Sequence, residues 1–504
     1  MLLYGFGVVP FWRGGIICKK ILACYNGNVK KIIISKLFLY RYRFVIGYIL
    51  LGVAFIALLF LLPIFAQYGL SEAEINSAVN SYQLSVDAPF TGDLVDLPYR
   101  VLQKLSIMCF GLTVYAIKLP SIVVGLFFGL LLILLLNRWF KSNVSLLASC
   151  LVVLSTPFLF LAGNGTPLIM VVFWPALLLW LGSKIQGEKR PKPSYCFLFA
   201  IALLASVFTP YMLYFAVFCV LFVFLQPHLR FVVKSLPKLP LALVGLIILG
   251  GMVALLLNVI HHPNTIMELL FAQNFTLSGF LPNIATALSV AFSLWPIEGS
   301  VFLSPLISVP MLALALIGLF STTKGFFASR NSIASGLLLF TLIIVGFNPS
   351  VIVFILLPLS ILVAHGLKYL LEKWYGLFPE NPYARIAALV PLTILFAFII
   401  LPSLAQYVYG YRYNPEVANQ FSYDLKIIRK NLDNKTLVVG EHYDFYKILE
   451  ESTNITVADS VPAGIEEVAI LRDSKTPEKY HLKQIITSPL KDNSDIIYLY
   501  TVKE

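Results

Sequence analysis

Between residues 44 and 409 the chain is a succession of apolar runs about as long as a bilayer is thick, and this repetition constrains it more than any motif does. A run of about 18 or more apolar residues can cross the hydrocarbon layer as a helix. About eleven can be read, at 44–66, 115–137, 143–162, 166–183, 195–209, 211–226, 240–260, 301–320, 332–347, 350–366 and 385–409. Two of them, 195–209 and 211–226, are short and meet at Thr209-Pro210. With 59% hydrophobic and 12% charged residues among 504, a soluble fold could not hide so much apolar surface. The expectation is a polytopic α-helical membrane protein in three parts. These are a basic N-terminal arm at 1–43, a transmembrane domain at 44–409 with long outer loops at 67–114 and 261–300, and a small α/β domain at 410–504.

Orientation follows from the basic residues, which short cytoplasmic loops retain. Before the first span lie Arg13, Lys19, Lys20, Lys30, Lys31, Lys36, Arg41 and Arg43 with no acid, which predicts a cytoplasmic N-terminus. Alternate loops agree, through Arg138 and Lys141, Lys184 to Lys192, Arg230 to Lys238, Lys324 and Arg330, and Lys368 to Arg385. The loop at 261–300 has no Lys or Arg, so it and everything after residue 410 are expected outside. The net charge of +12 therefore needs no nucleic acid; it sets topology and meets anionic lipid. Residues 1–36 lack a small-residue cleavage site and are not read as a signal peptide. No Cys follows Cys219, which excludes disulfides and cysteine metal sites from the C-terminal part.

After Gly410 two helical patterns, 416–432 and 443–453, alternate with β-rich runs at 436–440, 455–459, 467–472, 483–487 and 496–502. Such alternation predicts a partly parallel sheet with helices, a recognition or packing module. "VVGEHYD" holds a single glycine, so no phosphate loop opens the second helix.

Chemistry concentrates in the first outer loop, which carries Glu72, Glu74, Asp87, Asp93 and Asp96, then Arg100 and Lys104, with Lys118 just beyond. Ser71-Glu72-Ala73-Glu74 fits a capping box, in which Ser71 caps a helix and Glu74 returns to its amide. In "LPYRVLQKLSIMCFG" at 97–111, Arg100 and Lys104 are four apart and share a helical face. Such a helix lies in the interface, its cations either snorkelling or clamping a lipid phosphate beside an acid. "GNGTP" at 163–167 reads as a tight turn or a wall of a substrate cavity. His261-His262 with Glu268 lacks zinc-like spacing, so no metal is expected. A transporter would keep charges at mid-membrane, whereas these spans are nearly free of them.

"GLSEAEINSAVNSYQL" at 69–84 and "LPYRVLQKLSIMCFGLTVYAIKLPSIVVGLFFGLLLILLLNRWF" at 97–140 resemble the opening of GT-C fold membrane glycosyltransferases that use polyprenyl-phosphate sugars, relatives of protein O-mannosyltransferases and the lipid A aminoarabinose transferase. The most specific piece is "FGLTVYAIKLPSIVVG" at 110–125. The resemblance implies transfer of a sugar, with hexosyl or mannosyl chemistry, from a polyprenyl phosphate to an extracytoplasmic protein, lipid or cell-wall glycan, with inversion. It implies no cofactor beyond the lipid-linked substrate. The family's catalytic Asp falls on Ala73, which leaves Glu74 as the expected base, and its motif Arg is Lys118. Arg100, Lys104 and Lys118 become the donor-phosphate candidates; Glu72, Asp93, Asp96, His261 and His262 are candidates for substrate or acceptor contacts. The departure at Ala73 leaves an inactive scaffold as the alternative, beside a lipid or polysaccharide transporter.

Overall fold

A computed structural model describes residues 52–63, 69–84, 94–186, 192–270, 276–293, 305–323, 328–378, 389–432, 435–462, 465–471, 480–487 and 496–502, with single residues or pairs at 49, 302–303, 325, 383 and 387. The chain divides into two units, Met1–Leu58 and Leu59–Glu504. Of the first, only Ile49 and the start of the apolar helix Gly52–Pro63 are described.

Among the described residues, six helices are long and apolar enough to cross a membrane, or up to eight if each of two bent pairs is one span. The run at 143–162 is such a pair, Ser142–Val153 and Thr156–Gly163, bent by 66°. Pro157, in the first turn of the second piece, lacks the N–H that a continuous helix would need there. The run at 211–226 ends as Met212–Leu225 and turns by 98° into Pro227–Ser235, again with a proline at the break. Pro193–Val207 and Val309–Thr323 are helical but shorter than a span, as the spacing of Thr209-Pro210 suggests for the former. Helix Val309–Thr323 packs on Leu356–Leu377 through Gly318 and Gly366, where an added Cβ would strike the Leu362 and Leu314 carbonyl oxygens. Small residues let backbones approach this closely where no water drives association.

The first long loop forms strand β1 (Leu70–Ser71), helix α1 (Glu72–Tyr82) and helix α2 (Leu97–Phe110), then enters the span α3 (Val114–Trp139). Val101, Leu102, Leu105, Met108 and Phe110 form an exposed apolar side of α2, as an interfacial helix requires.

Strand β1 pairs antiparallel with β2 (Phe421–Ser422). The remaining strands are β3 (Thr436–Val438), β4 (Thr456–Ala458), β5 (Glu467–Leu471), β6 (Tyr480–Thr487) and β7 (Ile496–Val502), one in each run expected from sequence. Their order is β4-β3-β5-β7-β6, parallel in β4-β3-β5 and antiparallel beyond. Helices Asp424–Asn431 and Tyr443–Ser452 pack on the sheet through Leu425, Ile428, Phe445 and Leu449. The same apolar cluster takes in Leu70, Ile75 and Ala78 of the first loop, Ile107 of α2, and Leu112 and Ile117 at the start of α3. The α/β part is thus the packing support of the first loop. Polar ties reinforce it: Arg429 Nη1 donates to the Leu112 carbonyl at 2.9 Å, and the Tyr82 hydroxyl donates to Glu451. Desolvation, then the Glu451 acceptor, pushes the Tyr82 phenol up to about 12.

Candidate active site

The N-terminus of α1 organises the region. The capping box is present: Ser71 N donates to Glu74 Oε2 at 2.8 Å, and Glu74 N donates to Ser71 Oγ at 3.3 Å. The other carboxylate oxygen does more than a cap requires. Glu74 Oε1 accepts the Gly165 N–H at 2.6 Å and pairs with Lys118 Nζ at 3.5 Å. The Glu74 side chain has no solvent exposure and that of Lys118 only 2%. The expected base, Glu74, is therefore buried and ties α1, α3 and the 163–167 turn together.

That turn comes close because residue 165 is glycine. A Cβ there would lie 2.8 Å from Ile117 Cγ2 and 2.9 Å from the Ile117 carbonyl oxygen. Gln103, buried on α2, completes the junction. Its Oε1 accepts from Ser77 Oγ at 2.8 Å and Ser81 Oγ at 2.7 Å, and its Nε2 donates to the Ile117 and Gly165 carbonyls at 3.1 and 2.9 Å. All four capacities of the amide are used, which fixes its orientation. Nothing in the sequence marks Gln103 except that a polar residue stands on the inner side of an amphipathic helix.

Arg100 and Lys104 share a face as expected, but the face serves α1. Arg100 Nη2 donates to the Asn80 carbonyl at 2.7 Å, and Lys104 Nζ to the Tyr82 and Leu84 carbonyls at 3.0 and 2.5 Å. Two cations thereby satisfy the open carbonyls at the end of a helix and oppose its negative pole. The three expected phosphate ligands therefore do not converge: Lys118 belongs to the buried pair, and the other two to the α1 terminus.

A cavity of about 740 Å³ opens on the other side of α1. Two residues along a helix turn about 200°, so with Glu74 pointing inward Glu72 faces elsewhere, and both Glu72 and Ala73 line this cavity. Asp96, just before α2, lines it from the far end of the loop, and Asn164, Thr166 and Pro167 of the glycine turn form another wall. Tyr211, Asn348, Ser350 and Gln420 add hydroxyl and amide groups. No described lining residue is Lys or Arg.

Backbone strain gathers at the same place. Among the described residues only Asp96 (φ 55°), Tyr211 (φ 69°) and His442 (φ 57°) are non-glycine residues in the left-handed region, and the first two line the cavity. A bulky residue such as Tyr is a true outlier there. The fold holds both: Asp96 N donates to the Phe208 carbonyl at 2.7 Å and Tyr211 N to the Leu269 carbonyl at 3.2 Å. Such strain concentrates at functional sites.

Asp93 lies outside the described residues. His261 and His262, at the end of helix Lys238–His261, are exposed and do not line the cavity. Among the described residues no three His, Cys, Asp or Glu side chains gather as metal ligands would.

Comparison with known proteins adds independent findings. The family model for dolichyl-phosphate-mannose-protein mannosyltransferase matches residues 99–253. No curated protein sequence matches the chain. Among solved structures, ArnT from Cupriavidus metallidurans bound to undecaprenyl phosphate superposes with a TM-score of 0.53 at 12% identity, over 90% of this chain and 98% of that one. The apo state of the same ArnT gives 0.53 at 14% identity, over 91% and 98%. The chain therefore has, over nine-tenths of its length, the ArnT-like GT-C fold that its first loop resembles, in divergent form.

Proposed function

We propose that this protein is a membrane glycosyltransferase that moves a sugar from a polyprenyl-phosphate donor to a hydroxyl acceptor in the cavity beside α1, with Glu72 as the general base. The observation that carries the reading is the meeting of two carboxylates from separate elements, Glu72 and Asp96, at a cavity of about 740 Å³ flanked by two left-handed residues. The match to a mannosyltransferase family model and the fold shared with an ArnT that binds undecaprenyl phosphate support the lipid-linked donor.

The chemistry needs little else. The acceptor hydroxyl proton passes to Glu72 as its oxygen bonds the anomeric carbon. The anomeric carbon–oxygen bond to phosphate breaks, and polyprenyl phosphate leaves with the electron pair. A single displacement inverts the anomeric centre. Asp96 accepts hydrogen bonds from sugar hydroxyls and orients the ring. Asn164, Asn348 and Ser350 offer donors to the phosphate oxygens, and such fixed donors stabilise charge as it develops. A mannosyl or other hexosyl donor, and a protein, lipid or glycan acceptor, belong to this proposal.

Purified protein supplied with polyprenyl-phosphate-linked sugar should release polyprenyl phosphate in step with a glycosylated product, followed by mass spectrometry. Consumption of a nucleotide sugar instead, with the lipid-linked donor untouched, would overturn the reading. The site is proposed to face outward, since basic residues alternate loop by loop. In a cysteine-free background, Lys483→Cys on exposed β6 should react with an impermeant thiol reagent on intact cells and Ser194→Cys should not. Labelling confined to Ser194→Cys would reverse the topology.

A further inference from the structure

A separate cavity lies at the opposite end of the bundle. Span α3 leaves the α/β side at Val114 and, over 26 residues, rises about 39 Å to Arg138 and Trp139. There a cavity of about 380 Å³ is lined by Arg138, Trp139, Gln186, His228, Ser329 and Arg330 among others, and no described lining residue is Asp or Glu.

Its two guanidinium groups are held in place by the fold. Arg138 Nη2 donates to the Ser183 carbonyl at 3.2 Å and Arg330 Nη1 to the Trp139 carbonyl at 3.1 Å. Each of these bonds engages one of five N–H donors and leaves a planar fork suited to an anion. Helix Ser329–Phe347 starts at the same wall, and its N-cap, Ala328, has no side chain to satisfy the first amides. The positive pole of a 19-residue helix thus adds to two arginines.

The depth of the cavity is marked by the helix that supplies His228. Pro227–Ser235 turns by 98° from the preceding span, carries Arg230 and Lys234, and exposes Phe231 at 70%. An amphipathic helix of this kind lies along the membrane surface. Trp139 is of the residue type enriched at that level.

We propose that this cavity binds the phosphodiester headgroup of an anionic phospholipid, held between Arg138, Arg330 and the start of helix Ser329–Phe347. The proposal is independent of the sugar-transfer reading. An anion trapped here would bridge α3 and helix Ser329–Phe347, each of which brings an arginine to the cavity.

The test is native mass spectrometry of delipidated full-length protein with phosphatidylglycerol or phosphatidylcholine of the same acyl chains. Phosphatidylglycerol should be retained on the order of tenfold better. Arg138→Gln with Arg330→Gln should bring the preference to within about twofold, while Arg230→Gln, outside the cavity, should leave it intact. Ser329→Asp provides a control that keeps the fold, since an acid in the first turn favours a helix, yet it should abolish the preference by repulsion. Retained preference in the double variant or in Ser329→Asp would overturn the site. Displacement of the lipid by millimolar inorganic phosphate would show a free-anion site and overturn the lipid assignment.

Discussion

Glu74→Ala is expected to destabilise the end of the bundle next to the α/β part by about 3–5 kcal/mol, because it leaves the Lys118 charge buried without its counter-ion. The loss has two further parts. The Gly165 N–H, held at 2.6 Å, loses its acceptor, and the cap of α1 loses its return bond from Ser71 N. Glu74→Gln tests the order of importance. Glutamine can still serve in a capping box, so a purely capping residue would tolerate it; an ion pair would not, because the amide is neutral. Glu74→Gln should therefore lower the thermal midpoint nearly as far as Glu74→Ala. Removing both charges as Glu74→Gln with Lys118→Met should recover much of the loss, since the uncompensated charge is then gone. A thermal midpoint unchanged in Glu74→Gln would show that the pair contributes nothing to stability.

Glu72→Gln should do the opposite. The side chain is exposed at the cavity, so its amide should leave the thermal midpoint nearly unchanged. An amide cannot take the acceptor proton, so transfer should fall on the order of 10²–10⁴-fold. The loss should appear in kcat, because the proton moves only as the transition state forms. Asp96→Asn should raise KM for the donor instead, since an amide still hydrogen-bonds a sugar hydroxyl but accepts less strongly than a carboxylate. Two carboxylates two residues apart, Glu72 and Glu74, thus separate into one that reads out in rate and one that reads out in stability.

Much of this was legible in the chain. The apolar runs predict the helical membrane fold, and the five β-rich runs after Gly410 each contain a strand. Ser71 and Glu74 announce the capping box, which local spacing alone determines. Span breaks were harder to see. Pro157 interrupts a run whose hydropathy is continuous, and hydropathy reports composition rather than direction. The burial of Glu74 was hidden for a related reason. Periodicity places Glu72 and Glu74 on different faces, but which face meets a cavity depends on Lys118 and Gly165, 44 and 91 residues further along the chain. The partners of Arg100 and Lys104 were hidden similarly, since the carbonyls they satisfy belong to another helix. Tyr211 and Asp96 carry no sequence mark of their left-handed backbone. The "GNGTP" turn did carry one: its central glycine permits a close approach to Ile117 that a Cβ would block, and its flanking Asn164 and Thr166 wall the cavity.

Rate and stability measured together on one pair of variants test the central claim, that sugar transfer from a polyprenyl phosphate occurs at the Glu72 side of α1. Wild type, Glu72→Gln and Glu74→Gln would be compared in single-turnover release of polyprenyl phosphate from a short-chain polyprenyl-phosphate sugar, each at a temperature below its own thermal midpoint. The account predicts release slowed by about 10²–10⁴-fold in Glu72→Gln at wild-type stability, and a smaller loss of rate with a lowered midpoint in Glu74→Gln. Wild-type release by Glu72→Gln, with release abolished in a fully folded Glu74→Gln, would contradict it and return the base to the buried carboxylate.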